Sequence, residues 1–529
     1  MSQGGFSFSQ VPTVNVPRSS FNRSHGHKTT FNAGLLIPIF VDEALPGDTF
    51  ALTLHALARM ATPIFPIMDN MHLDFFFFAV PNRLVWDDWQ HFCGEAVGTG
   101  YNQPDDYVVP QVNYNWPSLS MADYFGLPTG HPIKTSALFF RAYNLIWNEW
   151  FRDENLQAKA LVHKGPGPDL NPSTDYVLRP RGKRHDYFTS CLPWPQKGPG
   201  VEVPIGGMAP VVPGGTGLPT FDVGGFTTNM VTSGVDLGGG KQNLESVSGV
   251  VGTPANLYWN TPALQADLSQ ATAVTINALR EAFQIQRMYE KDARGGTRYT
   301  ELLRAHFGVV SPDARLQRPE FLGGGTVPVV VNPVTQTSST IPESPQGNLA
   351  AFAVAGVRGI GFRKSFTEHT IIIGLVEARP DLTYQNGINR MWSRKTRFDF
   401  YWPSLAHLGE QAVLNKEIYV DGTAVDDAVF GYQERWAEYR YFPSRITGAF
   451  RSNYPAGTTP ATSLDAWHLA QNFTTLPTLG EAFIEDPVDV VPRVVAVPSE
   501  PEFLFDSHFT IRCVRPMPTY SVPGLIDHF

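Results

Sequence analysis

Residues 503–513 read FLFDSHFTIRC. Phe503, Phe505, Phe509, Ile511 and Cys513 fall on one side at period two, with Ser507 the one polar member. Leu504, Asp506, His508, Thr510 and Arg512 fall on the other side, which is mostly polar. Successive side chains of a strand point to opposite faces, so this alternation marks a half-buried antiparallel strand. A second strand is read at 71–81, MHLDFFFFAVP. Met71, Leu73, Phe75, Phe77 and Ala79 share one face. The other face starts polar, at His72 and Asp74, and becomes apolar, so only one end is expected to be covered on both sides. Pro81 ends it.

Further strands are expected at Leu35–Asp42, at Thr49–Leu54 after the turn Pro46-Gly47-Asp48, and at the β-branched run His369–Arg379. Helical spacing interrupts them. Within Thr135–Leu156, Phe139, Ala142, Tyr143, Ile146 and Trp150 keep the spacing of one helix face. A second helix is expected over Val274–Glu290, with Ile276, Leu279, Ala282 and Phe283 inward and a break at Gly295-Gly296. A third, Thr297–Phe307, meets Gly308, a favourable left-handed cap. Strands at both ends with helices and loops between are best explained by one β-sandwich carrying large insertions across residues 1–529, not by a string of domains.

Composition agrees. The 529 residues include 47 Gly, 44 Pro and 36 Phe. Gly and Pro concentrate in 195–262, where they supply 23 of 68 positions and only six residues are charged. No sustained period of either kind is read there. So long a stretch is expected to be an inserted surface excursion that packs on itself or on copies of itself. A smaller surface loop is expected at 323–347. Charged residues make up 17%, against roughly 25% on average. Such a shortage fits a surface that largely meets other protein.

Net charge is −9, which argues against a dedicated nucleic-acid binder with a basic overall field, though not against a basic patch. Cys93, Cys191 and Cys513 form no CxxC pair and are expected to be reduced and mostly buried. No run of apolar residues is long enough to span a membrane, and no secretion signal is read at the start. HExxH and GxSxG are absent. Gly234–Lys241 has the wrong spacing for a phosphate loop, and Gln242 stands where Ser or Thr should bind magnesium. His25 and His27 lack further ligands nearby, so no metal and no cofactor is expected. The acid pairs Asp87-Asp88 and Asp426-Asp427 carry no geometry that would single out a catalytic pair.

Cations cluster in four places. Residues 1–41 contain no Asp or Glu and carry Arg18, Arg23 and Lys28, with Phe21 and Phe31 interleaved. This stretch reads as an extended arm, serving as a strand edge, a clamp on a neighbour, or a contact to phosphates. Residues 179–185 hold Arg179, Arg181, Lys183 and Arg184, followed by Tyr187 and Phe188. Four permanent cations so close repel one another unless anions are near. Arg394 and Arg397 precede Trp402, and Arg435 and Arg440 flank Trp436 and Tyr439. Arg pairs with phosphate bidentately and rings stack on unpaired bases, so nucleic acid is one reading. Subunit interfaces also favour Arg, Trp and Tyr, and this is the stronger reading for the last two clusters.

Seven stretches resemble a known family. They are SHGHKTTFNAG (24–34), MHLDFFFFAVPNRLVWDDWQHF (71–92), RGKRHDYFTSCLPWPQKG (181–198), the helical run 276–324, the run 382–419, GYQERWAEYRYFPSRITG (431–448) and RPMPTYSVPGLIDHF (515–529). They resemble the major capsid protein of microviruses, the small tailless single-stranded DNA phages, and most closely the gokushovirus branch. The resemblance thins at 195–262 and near 327–347.

It implies an eight-stranded antiparallel jelly roll with long inserted loops and a few helices. It implies a T=1 icosahedral shell of sixty copies around a circular single-stranded DNA, with the virion as its location after assembly in a bacterial cytoplasm. By position, 195–262 matches a threefold protrusion to which host attachment is attributed. Implied partners are other copies of the chain, an internal scaffolding protein, a DNA pilot protein, a small basic DNA-binding protein, the DNA and a host receptor. No family motif is catalytic. Arg18, Arg23, Lys28, Arg179, Arg181, Lys183 and Arg184 become candidates for facing DNA. Arg394, Arg397, Trp402, Trp436 and Tyr439 become candidates for a subunit interface. A carbohydrate-binding or carbohydrate-active β-sandwich is the alternative.

Overall fold

The computed structural model describes residues 17–520, apart from 96–106, 202–210, 214–219, 224–225, 237–241, 247–256, 262–263, 267–275, 297, 311–316, 343–344 and 455–461. The chain divides into two compact units, one of residues 1–195 with 293–529 and one of residues 196–292.

The larger unit is built on ten strands: β1 (Ser19–Asn22), β2 (His25–Phe31), β3 (Ile37–Ala44), β4 (Thr49–Met60), β5 (Met71–Pro81), β6 (Glu320–Pro328), β7 (Val330–Thr335), β8 (Leu349–Ser365), β9 (Thr370–Pro380) and β10 (Phe503–Arg515). One sheet runs β10–β4–β8–β7, with β1 and β2 both pairing the outer edge of β10. The other runs β6–β5–β9–β3. All pairings are antiparallel. Consecutive strands β2 to β5 alternate between the sheets, as in a jelly-roll sandwich. The sheets hold six and four strands, not the four each of an eight-stranded roll. The additions are β1, which continues the pairing of the N-terminal segment, and β7, which folds back on β8.

The quoted strand sits in this frame as read. β10 alternates buried and exposed along Phe503–Cys513. Ser507, the polar exception, is buried and its hydroxyl donates to the His27 carbonyl at 2.8 Å. Phe31 stacks on Phe503 at 5.4 Å, and Phe505 packs against Phe31 and Phe75. These side chains, with Leu52, Leu54, Phe77, Ile372 and Val376, fill the core between the sheets.

A third layer covers the outer face of the second sheet. Ile371, Ile373 and Leu375 of β9 and Phe78 and Val80 of β5 pack with Trp86, Trp116, Phe140 and Trp147. Every residue of β9 is therefore buried. Helix α1 (Leu138–Ile146) belongs to this layer and continues as a wider turn over Trp147–Phe151. Leu138 and Phe140 are buried as well as Ala142, Tyr143 and Ile146, while Phe139 is half-exposed and Trp150 exposed. The helix is thus largely covered, as the apolar Leu145 and Trp147 beside the read face imply, and Arg141 is fully buried with it. Its guanidinium pairs with Asp169 through bonds of 2.9 and 2.6 Å and donates to the carbonyls of Val85 and Gly165.

Two expectations are corrected, the loop at 323–347 and the inward face of the second helix. The loop expected at 323–347 is strand as far as Thr335, and the glycines explain why. A Cβ on Gly324 would lie 2.2 Å from the Phe75 carbonyl, and one on Gly361 would lie 2.0 Å from that of Leu52. Here glycine permits close approach of backbone instead of marking a turn. The arm expected over 1–41 is strand edge from Ser19 onward, since β1 and β2 pair the outer edge of β10; residues 1–16 lie outside the described residues. The thiols are free and mostly buried as read, Cys191 and Cys513 inside and Cys93 exposed. Helix α2 (Ile276–Gly295) forms, yet Ile276, Leu279 and Phe283 are exposed. A hydrophobic period marks a face that favours cover, not which chain supplies it. Helix α3 (Tyr299–Phe307) ends as read, on Gly308 at φ 70°.

The smaller unit contains a four-stranded antiparallel sheet ordered 242–246, 226–236, 220–223, 257–261, and a pair formed by Val211–Pro213 and Leu264–Ala266. Much of 195–262 lies outside the described residues. The part that is described holds strands where no period was legible.

Phe505 is 3% exposed. Phe505→Ala should cost about 3–5 kcal/mol, read from the shift in the urea unfolding midpoint. A much smaller loss would contradict its place between the sheets.

Candidate functional site

The basic segment 179–185 is threaded between two others. The Arg179 carbonyl accepts from the Leu36 N–H at 3.0 Å, and the Arg181 N–H donates to the Gly34 carbonyl at 3.1 Å. On the other side the Lys183 N–H donates to the Ile484 carbonyl at 2.8 Å, and the Asp486 N–H donates to the Arg181 carbonyl at 3.0 Å. These bonds aim alternate side chains inward and outward.

Arg181 points inward. Asp74 of β5 and Glu377 of β9 are direct partners across the strands. Arg181 Nη1 meets Asp74 Oδ2 at 2.5 Å and also bonds Glu377 Oε2. Arg379 Nη2 reaches the same Asp74 oxygen at 2.7 Å, and Thr326 donates to Asp74 Oδ1 at 2.6 Å. Burial alone would raise the Asp74 carboxyl, but the bonds from Thr326 and Arg181 outweigh it and hold it below its usual range. Glu377 is fully buried, and desolvation raises its carboxyl despite Arg181 and Arg379. The anions that the clustered cations require are thus partly the chain's own.

Lys183 is buried too. It donates to Gln471 at 2.7 Å and lies 4.4 Å from the centre of the Phe483 ring. Burial pushes its ammonium down to about 8. Arg179 lies half-exposed, 5.4 Å over Trp147. Arg184 is exposed and holds Asp381 at 3.2 Å. Arg184, His185 and Arg304 are the exposed basic side chains of a cavity of about 1090 Å³ whose lining includes Phe76, Phe78 and Phe151. In the N-terminal segment, Arg18 is exposed and bonds Thr49 Oγ1 at 3.3 Å. Arg23 meets Asp42 at 2.5 Å, and Lys28 meets Asp506 at 2.6 Å with both side chains exposed. Of the seven DNA-facing candidates, Arg181 and Lys183 are therefore held inside the subunit. Arg18, Lys28 and Arg184 present their charge outward.

The two other clusters come together on one surface. Arg394 lies 4.2 Å over the Tyr439 ring and 5.5 Å from that of Phe400. Arg397 lies 4.8 Å over Trp402, and Arg435 lies 4.4 Å over Trp436. Trp436 is buried and donates from Nε1 to the Leu405 carbonyl at 2.9 Å, so it supports this surface from beneath. Arg397, Trp402 and Tyr439 are exposed, and Arg394 is half-buried. Phe398, Phe400, Tyr401 and Phe442 are exposed beside them, and Trp392, which the sequence reading passed over, is 73% exposed. An isolated subunit rarely shows so many aromatics in one stretch of surface, whereas buried interfaces collect Arg, Trp and Tyr.

No helix of the described residues is long and apolar enough to cross a membrane, and among them no group of three or more His, Cys, Asp and Glu could hold a metal ion. Residues 9–525 match the family described as capsid protein (F protein). The chain belongs to that family. The capsid protein VP1 of Bdellovibrio phage phiMH2K is 49% identical over 99% of this chain and 98% of its own length. VP1 of Chlamydia phage 1 is 45% identical over 98% and 97%, and VP1 of Spiroplasma virus 4 is 39% identical over 98% and 97%. The microvirus capsid reading of the sequence is borne out. This capsid protein is a structural component of a virion, and its family is not one of enzymes.

The sequence reading also missed the buried Asp74–Arg181–Glu377–Arg379 network. The signal was present: Asp74 and Glu377 are isolated acids inside apolar strands. Arg181→Gln leaves Glu377 without its short partner and should cost about 3–5 kcal/mol of subunit stability in urea unfolding. An unchanged midpoint would contradict the network. For Lys183 the sign is opposite to that of a paired lysine. Its lowered folded value means stability rises as pH climbs from about 8 toward the roughly 10.4 of an unfolded lysine. Lys183→Met should abolish that rise.

Proposed function

We propose that this capsid protein assembles as sixty copies into a T=1 icosahedral shell around a circular single-stranded DNA, and that its insertion 195–262 contributes to host attachment at the threefold axes. The observation that carries the assembly is the exposed aromatic–arginine surface over 392–402 and 435–442 in a chain whose relatives are capsid proteins from end to end. A surface of this composition gains by burial, and in a shell the available partner is another copy. The low proportion of charged residues supports the same reading.

Genome enclosure by an acidic chain calls for outside cations. A small basic DNA-binding protein would supply part of them, alongside an internal scaffolding protein and a DNA pilot protein. Of this chain's own cations, Arg184 and Arg18 are the ones we assign to phosphates, because they are exposed. Arg184→Glu should lower packaged DNA without stopping shell formation. Unchanged packaging would remove that assignment.

Gel filtration and electron microscopy of the protein from infected or co-expressing cells should show shells or shell-sized fragments. A monodisperse monomer that retains or cleaves a glycan would instead favour a carbohydrate-active sandwich. Deleting 200–255 should leave shells that assemble but no longer attach to the host. Loss of assembly with normal subunit folding would contradict the role given to the insertion.

A further inference from the structure

Asp486 is a buried titratable group that neither the fold nor the assembly reading uses. It sits one residue beyond Glu485, whose backbone bridges Gly182, and its N–H is bonded to the Arg181 carbonyl. Its side chain is 3% exposed and meets the side chain of Glu377. Glu377 Oε1 and both Asp486 carboxyl oxygens are buried without a donor from any other group. Two carboxylates in contact repel. Two carboxyl groups that share a proton form a strong hydrogen bond.

We propose that Glu377 and Asp486 hold one proton between them, and that this proton locks the 484–486 segment onto the outer face of the second sheet. Geometry supports it: Arg181 and Arg379 are taken up by Asp74 and by Glu377 Oε2, which leaves Glu377 Oε1 and both Asp486 oxygens buried with no donor. Desolvation drives the Asp486 carboxyl well above its usual range, with Glu377 beside it and Arg379 and Arg181 working against the shift.

The groups around the pair come from four elements. Arg379 and Glu377 lie on β9, and Asp74 lies on β5. Arg181 and Lys183 come from the basic segment. Lys183 feels Asp486 most strongly among its charged neighbours, then Asp186 and Asp489, and is tied to Gln471. His72 and Arg184 meet Asp381 at the end of β9, one step removed.

The lock gives the subunit an alkaline weakness. The folded state keeps a proton that the unfolded chain releases near pH 4, so stability falls as pH rises from there toward the pair's own value. The segment released carries the backbone bonds that position Arg181 and Lys183. Loss of the proton would therefore loosen the basic segment together with the C-terminal loop.

Urea unfolding of the full-length chain, followed by tryptophan fluorescence between about pH 5 and about pH 7, tests this. The range stays below the titration of Lys183. In wild type the unfolding equilibrium constant should rise with pH up to about tenfold per unit more steeply than in Asp486→Asn. That variant keeps a donor toward Glu377 and leaves two acids facing two guanidiniums, with no proton to lose. Glu377→Gln should flatten the slope in the same way. Equal slopes in wild type and both variants would overturn the proposal. So would a wild-type midpoint independent of pH, or failure of Asp486→Asn to fold at about pH 7, since asparagine reproduces the bond.

Discussion

Asp74 and Glu377 face each other directly across β5 and β9, and both are buried. Like charges in that position are unfavourable, and doubly so without solvent. The chain answers by bringing Arg181 from a distant segment, with Arg379 from the neighbouring position on β9. This requirement fixes where the 179–185 segment runs. It also fixes where the 484–486 segment must lie, because the two are bonded backbone to backbone. A polar defect in the second sheet thus organises three segments separated by hundreds of residues.

The same sheet explains the layering. One face of β9 meets the inter-sheet core through Ile372 and Val376, and the other meets the aromatic layer through Ile371, Ile373 and Leu375. A strand buried on both faces has no room for an uncompensated charge. Gly374 shows the tightness, since a Cβ there would lie 2.8 Å from the Phe77 ring and 2.9 Å from Phe40. Around this rigid centre the chain can carry a large insertion and a broad aromatic–arginine surface without disturbing the sandwich.

Much of the sandwich was legible because half-buried strands leave an alternating record, as in 503–513 and 71–81. β6 and β7 were not legible: Gly323–Gly325 reads as a turn, and only the partner strand shows that those glycines clear its backbone. The strands within 220–266 escaped for a related reason, as Gly-rich turns break any side-chain period. Helix α2 was legible as a helix but not as an exposed one. In the candidate site, the Arg and aromatic clusters were visible as composition. Which cations turn inward was not, because that depends on Asp74 and Glu377, more than a hundred residues away in either direction. Trp436, read as a contact residue, turned out to support the surface from below for the same kind of reason.

The central claim is that the exposed aromatic–arginine surface is covered by a neighbouring copy in a closed shell. The most direct measurement is a cryo-electron microscopy reconstruction of the particle formed by this protein. The expected result is an icosahedral shell in which Trp392, Phe398, Trp402 and Tyr439 are buried against an adjacent subunit. A closed shell that leaves those four side chains in solvent would contradict it.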